Sequence, residues 1–336
     1  MLLQNSRLAW AAALSSLLLL SACKISIPGV DIELDLGTSP ELYSPNPTTD
    51  YTKTIHPIFL VHGLNGFDHM LGVNYFYNVP EALEHGGATV VLASMSALHT
   101  NEVRGEQLLK QIREYIAINP SVTKVNLIGH SHGAPTARYV AAVAPDLIAS
   151  VSTVGGVNAL GSEKAALIND AFNDPVKGLL VEAALLSLGL MFDILSSEGG
   201  RHPQTVRSTF YSVGYEGTEE FNARYPNAIP AGNACNQGAF EVNGIKYYSW
   251  GGTGVKTNRA DPLDKILEIT IPYFVGIEND GTISKCASHL GMVIRDDYHL
   301  NHTDLTNQAF GLRHSESVNP LNLYRAHANR LKNAGL

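Results

Sequence analysis

The chain has 336 residues, of which 45% are hydrophobic and 16% charged, and its formal net charge is -8. This length and apolar content suffice for one large core and do not require a second domain. The negative charge argues against binding to nucleic acid through a general positive field, whereas neutral or apolar substrates are compatible with it. We therefore expect one globular domain that does not bind nucleic acid.

The first residues have the features of an export signal. Arg7 supplies positive charge, and the apolar run of residues 8–20 is too short to span a bilayer permanently. The sequence Leu-Ser-Ala-Cys that follows resembles a lipobox, in which Cys23 would carry the lipid; a plain signal peptide is the alternative. We expect residues 1–22 to be a signal peptide, and the protein to be exported as an outer-membrane lipoprotein attached through Cys23 or as a secreted protein.

A tether is predicted between this signal and the globular domain. Residues 23–52 contain four prolines and scattered acidic residues, a composition that extends a chain and buries little. Residues 30–36 alternate apolar and acidic side chains and could also add to a sheet as an edge strand. The globular domain is expected over residues 53–336.

Three cysteines are present. If Cys23 carries a lipid, Cys235 and Cys286 remain as an even pair in an oxidising compartment. We expect these two residues to form a disulfide bond.

Short apolar runs alternate with amphipathic segments in the globular part. Residues 57–61, 89–93 and 125–128 are typical of buried strands. Residues 102–116 predict a helix with Arg104 on its polar face. Strands separated by helices indicate a mostly parallel central sheet flanked by helices, with the functional site along the edge where the strands end.

One segment is apolar on nearly all sides. Residues 174–195 contain few charges and two glycines, which predicts a helix without a polar face. Such a helix is normally buried in a core; the functional alternative is a lid that exposes its apolar surface when it meets lipid. The sequence leaves both interpretations open.

The pentapeptide Gly-His-Ser-His-Gly at residues 129–133 has the form of a nucleophile elbow. It directly follows the predicted strand 125–128 and precedes a helical stretch at 134–142. Its glycines remove the β-carbons that would clash in a sharp turn and leave the hydroxyl of Ser131 exposed. This context predicts an α/β-hydrolase fold in which Ser131 is the nucleophile.

A serine nucleophile needs a histidine base and an acid, which in this fold follow it in the order acid, then histidine. Asp280 lies in a turn-like Glu-Asn-Asp-Gly sequence after the apolar residues 269–277, which could form the preceding strand. The order leaves five candidate bases, and sequence physics alone does not rank His299 against His302. These candidates are His289, His299, His302, His314 and His327.

The oxyanion of an ester intermediate requires two backbone N–H groups. One comes from the residue after the nucleophile, His132. The other comes from the loop after an early strand, where Leu64 in His-Gly-Leu is the expected donor.

Four strings of residues resemble the foldase-dependent triacylglycerol lipases of the Pseudomonas and Burkholderia type. They lie at 59–64, 125–133, 289–296 and 326–333, and the resemblance runs from about residue 51 to the end. It implies that Asp280 is the triad acid and His302 the base, and that Leu64 and His132 donate to the oxyanion. It also implies the disulfide and assigns residues 174–195 to a lid helix.

The resemblance further implies a structural calcium ion and a folding partner. Asp261 and Asp304 match the carboxylate ligands of the family, and Gln308 and Leu312 match positions that offer carbonyl oxygens. Oxygen ligands of this kind suit Ca²⁺. The partner is the membrane-bound chaperone known as the lipase-specific foldase.

The sequence therefore predicts a lipase that hydrolyses the carboxylic esters of triacylglycerols at an oil-water interface. Alternatives are a short-chain carboxylesterase or phospholipase and, outside the enzymes, a lipid-anchored binding protein on a hydrolase scaffold. Residues 155–162 and Asn65 depart from the family pattern near the expected acyl-binding mouth. These departures leave the acyl-chain preference open.

Overall fold

The computed structural model describes residues 49–70, 73–196, 201–268 and 270–336. The predicted signal peptide, Cys23 and the possible strand at 30–36 lie outside the described residues. Thr52, at the end of the predicted tether, is fully buried, and its backbone N–H donates to the Gly86 carbonyl at 2.8 Å. The packed part of the chain therefore includes this residue.

Seven of the described strands form one sheet in the order β4-β1-β5-β6-β8-β7, with β9 paired to β8. Its pairs are parallel except for β7 with β8. Two very short strands, β2 and β3, form a separate antiparallel pair. The strands are β1 Ile58–Val61, β2 His69–Met70, β3 Val73–Asn74, β4 Val90–Ala93, β5 Val125–His130, β6 Ile148–Val154, β7 Glu241–Val242, β8 Ile245–Gly252 and β9 Met292–Tyr298.

Nine α-helices lie within the described residues. They are α1 Val79–Glu84, α2 Asn101–Ile118, α3 Gly133–Val143, α4 Glu163–Ala171, α5 Pro175–Leu195, α6 Val206–Val213, α7 Tyr215–Arg224, α8 Pro262–Glu268 and α9 Pro320–Asn333. The starts of α2, α4, α5 and α9 are fixed by side-chain oxygens that accept from first-turn N–H groups. These N-cap residues are Thr100, Ser162, Asp174 and Asn319.

The alternation of side chains along β1 divides the core between the two faces of the sheet. Phe59 and Val61 belong to a buried cluster with residues of α2 and α3. Ile58 and Leu60 belong to a second cluster with residues of α1 and α9. A parallel sheet covered by helices on both faces confirms the predicted fold class.

Two local predictions are wrong. The residues before Asp280 form no strand from Thr270 onward, because a short 3-10 helix occupies Ile271–Tyr273 and Val275 is 84% exposed. Arg104 does not lie on a solvent face of α2; it is fully buried.

Candidate active site

Ser131 lies in a sharp turn between β5 and α3. It is a non-glycine residue with a φ of 54°, in the left-handed region that such residues rarely adopt. The turn is possible because a β-carbon at Gly129 would lie 2.3 Å from the Gly133 carbonyl oxygen, and one at Gly133 would lie 2.1 Å from the Val61 carbonyl oxygen. Only glycine fits both positions, as predicted for a nucleophile elbow.

His302 and Asp280 form a buried pair. The Nδ1 atom of His302 lies 2.7 Å from the Oδ2 atom of Asp280, and the His302 backbone N–H donates to the Asp280 carbonyl at 2.8 Å. A carboxylate only accepts hydrogen bonds, so Nδ1 carries the proton and Nε2 has a free lone pair. The other carboxylate oxygen accepts the N–H groups of Thr282 and Ile283 at 2.9 and 2.8 Å, which fixes its orientation.

The fold brings this pair to the serine turn. His130, directly before Ser131, lies with its Nε2 atom 3.0 Å from the His302 carbonyl oxygen. A β-carbon at Gly155, which follows β6, would lie 3.0 Å from Oδ2 of Asp280. The Ser131 N–H donates to the carbonyl of Val154, the last residue of β6, at 3.1 Å. Ser131, His302 and Asp280 therefore gather where β5 and β6 end.

The other candidate histidines have different surroundings. His289 contacts Asp296 at 3.0 Å, His327 lies 2.6 Å from the Ser152 hydroxyl, and His299 packs against the ring of His314. His302 is the candidate that the fold brings to Asp280, whereas His299 meets His314.

The loop after β1 is oriented by His62. The Met95 N–H donates to Nε2 of His62 at 3.2 Å, so the proton is on Nδ1, which donates to the Gly63 carbonyl at 2.9 Å. Because a trans peptide is planar, fixing this carbonyl directs the N–H of Leu64 to the opposite side. A β-carbon at Gly63 would lie 2.9 Å from the β-carbon of Ser131, so this loop borders the serine.

Arg104 also holds the loop after β1, through the His62 carbonyl. Its guanidinium donates to the carbonyl oxygens of Ser96 and His62, the latter at 2.6 Å, and to the Thr136 hydroxyl at 3.3 Å. Burial lowers the pKa of Arg104 to about 9. Its burial could not be found from helical periodicity, because the acceptors that compensate it come from other parts of the chain.

A candidate cation site lies next to His302. Asp261 and Asp304 are buried, and each has one carboxylate oxygen without a hydrogen-bond partner, Oδ2 and Oδ1 respectively. Burial raises the pKa of Asp261 to about 6 and that of Asp304 to about 7. Two buried carboxylates with free oxygens are the donor set that a hard cation satisfies.

The remaining ligands at this site would be backbone oxygens. Within the described ranges, no group of three or more histidine, cysteine or acidic side chains could hold a metal ion. Gln308 and Leu312 follow Asp304 on the same loop and are partly buried. The two free carboxylate oxygens of Asp261 and Asp304 are the feature of this site that fits a hard cation such as calcium.

Cys235 and Cys286 form the predicted disulfide bond, with their Cα atoms 4.5 Å apart. Cys286 opens the short 3-10 helix Cys286–Ser288 in the segment that follows Asp280. The bond thus anchors the chain on the far side of the acid-bearing turn.

Helix α5 covers the site but is not a core helix. Its buried residues are only Gly178, Gly189 and Asp193. Phe192 stacks on Phe67 of the loop after β1 at 5.8 Å, while several large apolar side chains face outward. The most exposed are Val176, Leu179, Leu180 and Ile194, at 60 to 69%.

This helix is also the one in the described part of the chain that is long and apolar enough to cross a membrane. Its inner residues Leu185 and Leu186 pack against a buried cluster that includes Leu98, and Leu64 packs against the same cluster. The position matches the lid interpretation, and the core-helix alternative is wrong.

Sequence comparison identifies relatives over most of the chain. Residues 56–302 match the alpha/beta hydrolase fold family. A triacylglycerol lipase of Vibrio cholerae is 45% identical over 289 residues, which are 85% of this chain and 90% of that protein. A triacylglycerol lipase of Pseudomonas fragi is 42% identical over 85% of this chain and 99% of its own, and one of Burkholderia plantarii is 34% identical over 85% and 88%.

Solved structures show the same fold at low sequence identity. The Staphylococcus hyicus lipase superposes with a TM-score of 0.57 at 18% identity, over 89% of this chain and 99% of its own. EstA from Clostridium botulinum gives a TM-score of 0.54 at 18% identity, over 84% and 88%. These structures show the fold alone. The family match and the sequence relatives establish that the chain is an ester hydrolase that belongs to the bacterial triacylglycerol lipase family within the α/β-hydrolase fold.

Proposed function

We propose that the protein is a triacylglycerol lipase that works through an acyl-enzyme on Ser131. The observation that carries the proposal is the bond of 2.7 Å between His302 and Asp280, located beside the strained turn of Ser131. This bond leaves Nε2 of His302 as a base, and strained turns of this kind present nucleophiles.

In the proposed reaction, Nε2 of His302 takes the proton of the Ser131 hydroxyl as its oxygen attacks the ester carbonyl. The N–H groups of Leu64 and His132 stabilise the oxyanion. The imidazolium, held by the Asp280 carboxylate, then protonates the leaving alcohol, and the acyl group stays on Ser131. Water, deprotonated by the same histidine, attacks the acyl ester and releases the fatty acid.

The proposed substrate is a triacylglycerol at an oil-water interface. The relatives from Vibrio, Pseudomonas and Burkholderia carry that activity in their names. The outward apolar side chains of α5 suit contact with a lipid phase, because a water-soluble substrate would require no such surface.

The test compares Ser131→Ala with Ser121→Ala, an exposed serine in the turn before β5, at the opposite end of that strand from Ser131. Acid release from triolein, tributyrin and phosphatidylcholine emulsions is measured at constant pH. We expect Ser131→Ala to lose at least about a thousandfold in activity and the control to lose none. Activity that survives in Ser131→Ala would contradict the nucleophile, and release from phosphatidylcholine alone would make the protein a phospholipase.

We further propose that Ca²⁺ is bound by Asp261, Asp304 and the carbonyl oxygens of Gln308 and Leu312. The ion would neutralise two buried carboxylates and hold the loop that carries His302. Titration calorimetry with CaCl₂ should detect one site in the wild type and in Asp146→Asn, an exposed control. Asp304→Asn should lose this binding; equal binding by Asp304→Asn would exclude the site.

Export, lipidation and foldase dependence are part of the same proposal. Mass spectrometry of the mature N-terminus should find a lipid-modified Cys23, and an unmodified terminus at another residue would indicate plain secretion. Refolding with and without the family's foldase should give active enzyme only with it. Full activity after refolding alone would refute the partner.

A further inference from the structure

Tyr75 and His130 form a hydrogen-bonded pair behind the candidate active site. The Tyr75 hydroxyl lies 2.8 Å from Nδ1 of His130, and Nε2 of His130 lies 3.0 Å from the His302 carbonyl oxygen. Tyr75 is 6% exposed and His130 is 1% exposed. Both side chains are therefore shielded from water and rely on each other for hydrogen bonding.

The partners fix the direction of each hydrogen bond. A backbone carbonyl only accepts, so Nε2 of His130 carries the proton. Burial, with the nearby His302, lowers the pKa of His130 well below its usual value, so the ring is neutral and Nδ1 accepts. The Tyr75 hydroxyl must then donate to Nδ1.

The Tyr75 oxygen also meets the loop after β1. A β-carbon at Gly63 would lie 2.7 Å from this oxygen, so the Tyr75 hydroxyl packs directly against this loop. The pair thus connects three segments of the site, which are the loop of Leu64, the turn of Ser131 and the loop of His302.

A neutral His130 also suits the chemistry of its neighbour. The rings of His130 and His302 have centroids 4.5 Å apart. A positive charge on His130 would repel the imidazolium that forms on His302 during acyl transfer, because like charges at this distance in a buried site interact strongly. A histidine fixed as the neutral Nε2–H form holds the His302 backbone without this penalty.

We propose that Tyr75 and His130 are positioning residues that hold the His302 loop and the Gly63 loop in their places relative to Ser131. Tyr75 fixes the tautomer of His130, and His130 fixes the backbone of His302. The inference rests on the proposed function, because it assigns His302 as the base. Neither residue touches the substrate in this role, so substrate affinity should not depend on them.

The first test is Tyr75→Phe, measured on p-nitrophenyl butyrate in solution, where no lipid interface intervenes. Tyr324→Phe is the matched control, because its hydroxyl is buried and lacks a partner among the described residues. We expect Tyr75→Phe to lower kcat about tenfold with KM unchanged, and the control to keep both. Equal kcat values for the two variants would overturn the proposal.

The second test separates the two bonds of His130. In His130→Gln the amide nitrogen can replace Nε2 and still donate to the His302 carbonyl, whereas in His130→Asn the shorter side chain reaches only the Tyr75 side. We expect kcat to fall further in His130→Asn than in His130→Gln, with similar melting temperatures. The reverse order of kcat values, or a change in KM with kcat unchanged, would contradict the assignment.

The third test does not depend on catalysis. Nitrogen-15 spectra of histidine-labelled protein should show a neutral Nε2–H ring that disappears in His130→Gln. If His130 instead gave the signals of an Nδ1–H ring or of a cationic ring at pH 7, the proposed direction of the Tyr75–His130 hydrogen bond would be refuted, even in an active enzyme. If the wild type hydrolyses no ester while His130 shows the expected tautomer, the proposed function fails and the hydrogen-bonded pair stands.

Discussion

The floor and the roof of the site are held by different forces. On the floor, His302, Asp280 and Arg104 are buried and tied by directed hydrogen bonds. The roof is helix α5, whose outer face is apolar and exposed and whose buried polar tie is the Asp193 carboxylate.

This difference indicates which part of the molecule can move. Directed bonds between buried groups fix one geometry, because any displacement leaves a polar atom unpaired. Apolar contacts exchange more readily, and segments with little buried surface belong to the less stable parts of a fold. We therefore expect a rigid catalytic floor beneath a roof that can open.

The largest expected effect is on the floor, at Arg104. Arg104→Met leaves three buried acceptors without a donor and should lower the free energy of unfolding by about 4 kcal/mol. Arg113→Met, an exposed position on the same helix, should change it by less than about 0.5 kcal/mol. Urea unfolding measures both free energies. A similar small loss for both variants would show that Arg104 contributes no more to stability than an exposed residue does.

The polar interior should also make the protein sensitive to acid. Burial lowers the pKa of His327 to about 3, whereas the unfolded chain titrates near 6.5. The unfolded state therefore binds more protons between these values, so stability is present above about pH 6.5 and falls as the pH decreases. This one group should cost about 2 kcal/mol at pH 5.

The variant that tests this linkage is His327→Gln, whose amide can still reach Ser152. Its loss of melting temperature between pH 7 and pH 5 should be smaller than that of the wild type. The control is His69→Gln, because the side chain of His69 is 52% exposed. Parallel curves for His327→Gln and the wild type would show that His327 is not held neutral.

The roof should respond to a smaller change. Asp193 accepts from the backbone N–H of His202 at 3.2 Å and contacts its Nδ1 at 3.0 Å. Asp193→Asn weakens these bonds by about 1 kcal/mol, which should favour the open helix and raise hydrolysis of soluble esters about fivefold. Asp170→Asn, an exposed acid on α4, is the control. Unchanged or lower activity would argue against an opening roof.

The smallest effect on stability is expected at the outer face of α5. Leu179 is 66% exposed, so Leu179→Ser should change the free energy of unfolding by less than about 0.5 kcal/mol. It should nevertheless weaken adsorption to triolein droplets, measured by centrifugation. Ile118→Ser, at a residue 78% exposed on α2, should leave adsorption unchanged. Equal adsorption of both variants would show that the outer face of α5 does not contribute to lipid binding.

Much of the floor could be predicted because its signals are local. The apolar runs, the two glycines around Ser131 and the Asn-Asp-Gly turn at Asp280 each fix the backbone within a few residues. The choice of His302 over His299 required the resemblance or the tertiary structure, since only the fold shows which ring meets Asp280.

The wrong predictions have a common physical origin. Arg104 follows the periodicity of a solvent-facing residue, yet carbonyls from two other segments compensate its burial. The apolar residues 270–277 resemble a strand, yet Tyr273 and Val275 are 52 and 84% exposed and pair with no sheet. Tyr75 was not identified from the sequence, because its partner His130 is distant along the chain.

The roles of Ser131 and His302 are tested by the reaction of the folded protein with a long-chain fluorophosphonate, followed by peptide mapping. We expect one adduct per chain, on Ser131, formed at a rate that falls by orders of magnitude in His302→Gln. Labelling at another residue, or no labelling of folded protein that still hydrolyses triolein, would show that Ser131 and His302 do not carry the reaction.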